Sequence, residues 1–130
     1  MQIAQLMTPD PVTVGPEVSL ATVKSLMVAG KFRRVLVVES GKLIAIVTER
    51  DLREHIGHLK STRVRAAMRS HVLTITASQS AEDAARLMLQ HKIGGLPVMV
   101  GDRVVGILTA SDLLKAFVRV VTATEHIVDD

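Results

Sequence analysis

The chain has no cysteine, which excludes disulfides, thiol nucleophiles and thiolate metal sites. Aromatic residues are nearly absent: there are two phenylalanines, Phe32 and Phe117, and no tyrosine or tryptophan. Single-stranded nucleic-acid sites stack bases on aromatic rings, so this chain is poorly equipped for that work. No run of about eighteen apolar residues occurs, so no membrane span is expected. The first residues, Met1-Gln2-Ile3-Ala4-Gln5, lack the basic and apolar regions of a secretory leader, and a cytoplasmic location is the expectation. Residues 55–81 hold no aspartate or glutamate, yet carry Lys60, Arg63, Arg65 and Arg69 with His55, His58 and His71. Such a stretch is either a solvated connector or a local positive field that draws an anion. Catalytic signatures are missing as well: no phosphate loop, no G-x-S-x-G and no H-E-x-x-H. Asp51, Glu54, His55 and His58 fall on adjacent helical turns and imitate a metal cluster, but they read as surface helix charges. No enzyme, and no catalytic cofactor, is expected.

What the chain does have is a repeat. Its 130 residues, 48% apolar and 22% charged with net charge +3, suit one domain or two fused small units. Shifting the sequence by 61 positions aligns residues 7–54 with 68–115 without a gap, and 11 of the 48 pairs are identical. Among them are Met7/Met68, Ser19/Ser80, Lys31/Lys92, Thr48/Thr109 and Asp51/Asp112. Many other pairs exchange one aliphatic for another, so the chain is two copies of one unit, divided as 1–60 and 61–130.

Each copy reads as β-α-β-β-α, an α/β fold. A Pro-punctuated lead-in, Met7-Thr8-Pro9-Asp10-Pro11, runs into a short strand at Val12–Val14. Ser19 caps a helix with Leu20, Val23, Leu26 and Met27 on one face, and Gly30 is the expected C-cap. Val35–Val38 and Leu43–Val47 form a hairpin around Ser40-Gly41. A second helix spans about Glu49 to Gly57. In the second copy the strands are Leu73–Thr76, Leu96–Val100 and Val104–Leu108, with a helix capped by Ser80. The last helix, Ser111 to about Val121, is apolar nearly all round, with a frayed tail expected from Thr122. A helix of that kind needs cover on both sides, which points to a homodimer.

Both copies place T-x-x-D where the strand period hands over to the helix period: Thr48 to Asp51 and Thr109 to Asp112. One reading is a capping box, with the hydroxyl and carboxylate satisfying orphan amides. The other is a ligand site. A carboxylate accepts two charge-assisted hydroxyl hydrogen bonds, and the helix start offers amides and positive potential to a phosphate.

The chain resembles a tandem pair of cystathionine-β-synthase (CBS) domains, a Bateman module, over about residues 3–121. The resemblance rests on the Met7 to Val14 lead-in, on Leu96-Pro97-Val98 and on Gly106 to Asp112. It implies two repeats packed with pseudo-two-fold symmetry and two clefts that bind AMP, ADP, ATP or S-adenosylmethionine. In the family the Asp takes the ribose hydroxyls and the Thr lies near the phosphate. Carried over residue by residue, the first cleft holds Thr48 and Asp51, with Arg33 and Arg34 toward phosphate and adenine near His71, Val72 and Ile93. The second holds Thr109 and Asp112, with adenine near Pro11, Val12 and Phe32. Gly94 and Gly95 stand where the first copy has its arginines, so the Thr48/Asp51 cleft is expected to bind phosphate more tightly. Ala45 stands where the second copy has Gly106; if its methyl blocks the cleft, the Asp112 site is the occupied one.

The implied function is a non-enzymatic adenine-nucleotide sensor whose regulated protein partner the sequence does not name. Two alternatives stay beside it: an interaction module without ligand, and a nucleic-acid binder, which rests on residues 55–81 alone and is disfavoured.

Overall fold

Polar side chains start the helices, and aliphatic strands end at them. In the computed structural model, which describes residues 1–129, a 3-10 turn at Ile3–Gln5 is followed by β1 (Thr8–Pro9), β2 (Thr13–Val14) and α1 (Leu20–Gly30). Then come β3 (Arg34–Glu39), β4 (Lys42–Thr48), α2 (Glu49–Arg53) and α3 (Val64–Ala67). The chain continues through β5 (Ile75–Thr76), α4 (Ala81–His91), β6 (Gly95–Val100), β7 (Arg103–Thr109) and α5 (Ala110–Asp129). This is a mixed α/β fold with two sheets, as the sequence pattern predicts.

Contacts divide the chain into two units. The first comprises Pro11–Leu73 with Asp102–Val104. Its sheet has the order β2-β3-β4, with β2 parallel to β3 and β3 antiparallel to β4. Ser40 and Gly41 turn the hairpin at φ 52° and 77°, the positive values that a tight two-residue turn requires. Leu20, Val23 and Met27 of α1 pack on Val35, Val37, Ala45 and Val47 of the hairpin, with Leu52 and Val64 closing the cluster. Each such aliphatic side chain, once fully buried, contributes roughly 1.5–3 kcal/mol.

The second unit comprises Met1–Asp10, Thr74–Gly101 and the chain from Val105. Its sheet runs β1-β7-β6-β5. Ile3, Ile75, Ala84, Met88, Leu96, Val98 and Leu108 form its core. Residues 1–10, which lead the first copy in sequence, therefore pack with the second copy. The Ile3 amide donates to the Gln79 carbonyl at 3.0 Å, and β1 pairs Thr8 with Ile107 and Pro9 with Gly106. The lead-in of the second copy does the same in the first unit: Arg69 forms an antiparallel bridge with Ile46. Ile46 and Ile107 are repeat-mates, so Thr8 and Arg69 occupy matching places.

Several local expectations need correction. Gly30 is the last residue of α1, not its C-cap. Lys31 takes the left-handed cap position at φ 57°, and its repeat-mate Lys92 caps α4 at φ 55°. A Cβ on Gly30 would collide with the Phe32 ring, which is why the helix ends on a residue without a side chain. The first-copy second helix stops at Arg53 and continues as turns rather than reaching Gly57. The outer strands are two residues each, shorter than expected. The tail from Thr122 is helical, because nothing in Thr122–Asp129 breaks a helix and the Thr124 hydroxyl bonds the Val120 carbonyl at 2.9 Å. Of the apolar residues on α5, Ala116 is buried and Leu113 half-buried, while Leu114, Phe117, Val118 and Val120 are exposed.

Candidate functional site

The two T-x-x-D motifs fold into near-identical boxes. β4 delivers Thr48 in extended conformation, and the chain turns into α2 at the next residue. The Thr48 amide and hydroxyl both donate to Asp51 Oδ2, at 2.9 and 3.0 Å, and the Asp51 amide donates to Thr48 Oγ1 at 3.3 Å. At the end of β7 the corresponding distances from Thr109 to Asp112 are 2.9, 3.0 and 3.3 Å. The capping reading therefore holds at both places. The Glu49 amide donates to the Arg33 carbonyl and the Ala110 amide to the Gly94 carbonyl, each at 2.9 Å. The first and third amides of each helix are thus already used, so the supply of free amides expected for a phosphate is largely spent. What remains for a ligand at each box is the second carboxylate oxygen, Oδ1.

At that oxygen the two copies differ. Asp51 Oδ1 accepts from Arg69 Nε at 2.9 Å, and the Asp51 side chain is only 3% exposed. Arg69 is held for this by its backbone: its amide donates to the Ile46 carbonyl at 3.0 Å and its carbonyl accepts from the Ile46 amide at 3.2 Å. The bond to Asp51, then its charge, raises the Arg69 pKa. Asp112 is half-buried, and no side chain among the described residues donates to its Oδ1. Thr8, not an arginine, stands opposite Ile107.

Arg69 bonds the Asp51 carboxylate of the candidate site and was absent from the expected set. The signal was in the alignment, where offset 61 sets a cation against Thr8 in the stretch without acids. That stretch is also less bare than its composition: Arg65 pairs with Glu17 and Glu39 at 2.8 and 2.9 Å, and Arg63 Nη1 reaches the Glu17 carbonyl at 2.6 Å. Three of its four lysines and arginines, Arg63, Arg65 and Arg69, are thus paired with acids of the same unit.

Of the two expected phosphate-side arginines, Arg34 lies across the β-ladder from Thr48. It is half-buried with no carboxylate partner among the described residues, and desolvation, then neighbouring Arg33, lowers its pKa. Arg33 is mostly exposed and 3.5 Å from Glu49, a surface pair worth little. Ala45 is wholly buried in the core of its own unit, so its methyl is core packing. At Gly106 a Cβ would lie 2.9 Å from the Thr8 carbonyl oxygen and 2.5 Å from Met7 Sδ, so the glycine is required by the close approach of β1.

The expected adenine-side residues are scattered in character. Pro11 and Val72 are half-buried and Val12 and His71 exposed, all in the first unit. Phe32 packs on that unit's core and lines an apolar groove of about 300 Å³ with Met27, Leu52 and Ile56. Ile93 packs on the core of the second unit, the unit that also holds Thr109 and Asp112. Among the described residues no group of three or more His, Asp or Glu gathers as metal ligands, and no helix is long and apolar enough to cross a membrane.

The family model described as CBS domain matches residues 3–58 and again 64–119. The CBS domain-containing protein YhcV of Bacillus subtilis is 32% identical over 114 residues, covering 85% of this chain and 81% of its own length. An inosine-5'-monophosphate dehydrogenase of Bifidobacterium longum is 35% identical over 117 residues, which is 84% of this chain and 21% of the enzyme. The chain spans about a fifth to a third of the longer curated relatives it matches. The crystal structure of CBSX2 in complex with AMP superposes with a TM-score of 0.82 at 28% identity, covering 92% of this chain and 97% of that one. The chain belongs to the CBS domain family and carries two CBS domains in tandem.

Proposed function

We propose that the protein is a non-enzymatic regulatory module that binds an adenosine-containing ligand, of the AMP, ADP or ATP class, through its T-x-x-D carboxylates. S-adenosylmethionine is the second candidate class. The observation that carries this reading is the Asp112 box. Asp112 is half-buried; its Oδ2 is locked by Thr109, while its Oδ1 has no protein donor among the described residues. A ribose diol supplies neutral donors for such an oxygen, and bonds to a charged acceptor are the stronger kind. The likeness to CBSX2, which was crystallised with AMP, supports the same ligand class. Arg34, half-buried and without a carboxylate partner among the described residues, is the candidate phosphate contact on the Thr48 side. Regulation requires that the ligand bind two arrangements of the protein with different affinity. The location we assign is cytoplasmic. A thermal-shift screen with AMP, ADP, ATP, S-adenosylmethionine and NAD tests the reading: a ligand at 100 times its dissociation constant adds about 2.7 kcal/mol. No shift with any of them contradicts it.

A second function is favoured by a different observation. Val28 and its repeat-mate Leu89 are 70% and 80% exposed, and Ile56, in the turns after α2, and Phe117, on α5, are 74% and 63% exposed. Large apolar side chains exposed in both copies suit self-association into a homodimer.

A further inference from the structure

We propose that Arg69 closes the Asp51 junction to ribose, so that Asp112 is the carboxylate that takes ribose hydroxyls in this chain. The inference rests on the adenosine-ligand reading above and names which of its two copies is competent. At Asp51 both oxygens are committed: Oδ2 to Thr48 and Oδ1 to Arg69 at 2.9 Å. A ribose arriving there must exchange an ion-paired hydrogen bond for neutral ones on a carboxylate that is 3% exposed. Two backbone bonds to Ile46 fix the point from which the Arg69 side chain reaches Asp51, so the guanidinium stays in reach of Oδ1 and competes with an arriving hydroxyl for it. At Asp112 no such exchange is needed. The matching backbone place holds Thr8, whose side chain is too short and uncharged to act as a guanidinium does.

This reverses the order expected from Arg33 and Arg34 alone. Those arginines still matter, but behind the closed door. Arg34 lies across from Thr48 without a carboxylate partner among the described residues, so an Asp51 junction freed of Arg69 should favour a nucleoside that carries phosphate over one that does not.

The test is calorimetric titration of AMP and of adenosine into the full chain and three variants, each checked for folding by circular dichroism. The wild type should show a single binding event, and Asp112→Asn should abolish it. Arg69→Thr, which copies the other repeat, should add a second event with AMP tighter than adenosine. Thr8→Arg, on the exposed strand β1, should install the same closure over Asp112 and weaken the wild-type event by about tenfold or more. If Arg69→Thr fails to fold, Thr8→Arg decides alone, and unchanged binding in it overturns the proposal. Two events in the wild type, or an event that survives Asp112→Asn, also overturn it while the adenosine reading stands. Failure of both AMP and adenosine to bind any folded variant overturns the two together.

Discussion

Arg69 Nε lies 2.9 Å from Asp51 Oδ1, and this contact breaks the equivalence of two otherwise matching T-x-x-D boxes. It joins a mostly solvent-facing guanidinium, 58% exposed, to a carboxylate that is almost wholly buried. Removing the guanidinium leaves a buried carboxylate oxygen without its donor. Arg69→Ala should therefore cost about 1–3 kcal/mol, whereas Thr8→Ala, at the exposed matching site, should stay within about 0.5 kcal/mol. Urea unfolding reads both: the Arg69 variant should lower the midpoint at unchanged slope. Equal, small effects would show that the pair does not hold Asp51.

Much of this was legible in the sequence. Ser19, Ser80, Thr48 and Thr109 mark helix starts by their residue type and spacing, and all four serve as caps or box members. The hairpin strands follow from aliphatic runs around Ser40-Gly41. The offset between repeat and unit was not legible. Pairing of β1 with β7, and of Arg69 with Ile46, is long-range backbone hydrogen bonding that no local pattern announces. The Arg69–Asp51 pair follows from that pairing, so it was hidden for the same reason. The left-handed Lys31 and Lys92 were missed because glycine is the usual occupant of such caps, and Gly30 stood one residue away.

The β1 crossing predicts a contrast between Gly106 and Ala45. A methyl on Gly106 meets the Thr8 carbonyl and Met7 Sδ inside contact distance. Gly106→Ala should destabilise the protein by about 1–3 kcal/mol through overpacking. Adding Met7→Ala to it should restore part of the loss by vacating the sulfur's place. Thermal melts of the single and double variants check this, and a neutral Gly106→Ala would contradict the close approach of β1.

The boxes themselves predict a modest, symmetric cost. Thr48→Ala and Thr109→Ala each remove an N-cap and should each lose about 1 kcal/mol. Serine at either position keeps the hydroxyl and should recover most of it. If the alanine variants melt with the wild type, the hydrogen bonds of the boxes contribute nothing to stability.

Self-association has its own signature. Sedimentation equilibrium at micromolar concentration should return twice the chain mass of 14.1 kDa. Phe117, 63% exposed on α5, sits in the proposed face. Phe117→Glu should shift the protein toward monomer, since pairing would bury a carboxylate without a partner. A clean monomer for the wild type contradicts the dimer.

The most direct measurement of the central claim is an amide nitrogen–proton correlation spectrum recorded as AMP is added. The account predicts saturable shifts of the Thr109 and Asp112 amides at concentrations where those of Thr48 and Asp51 stay in place. Shifts confined to Thr48 and Asp51, or none at either junction up to millimolar AMP, would contradict it.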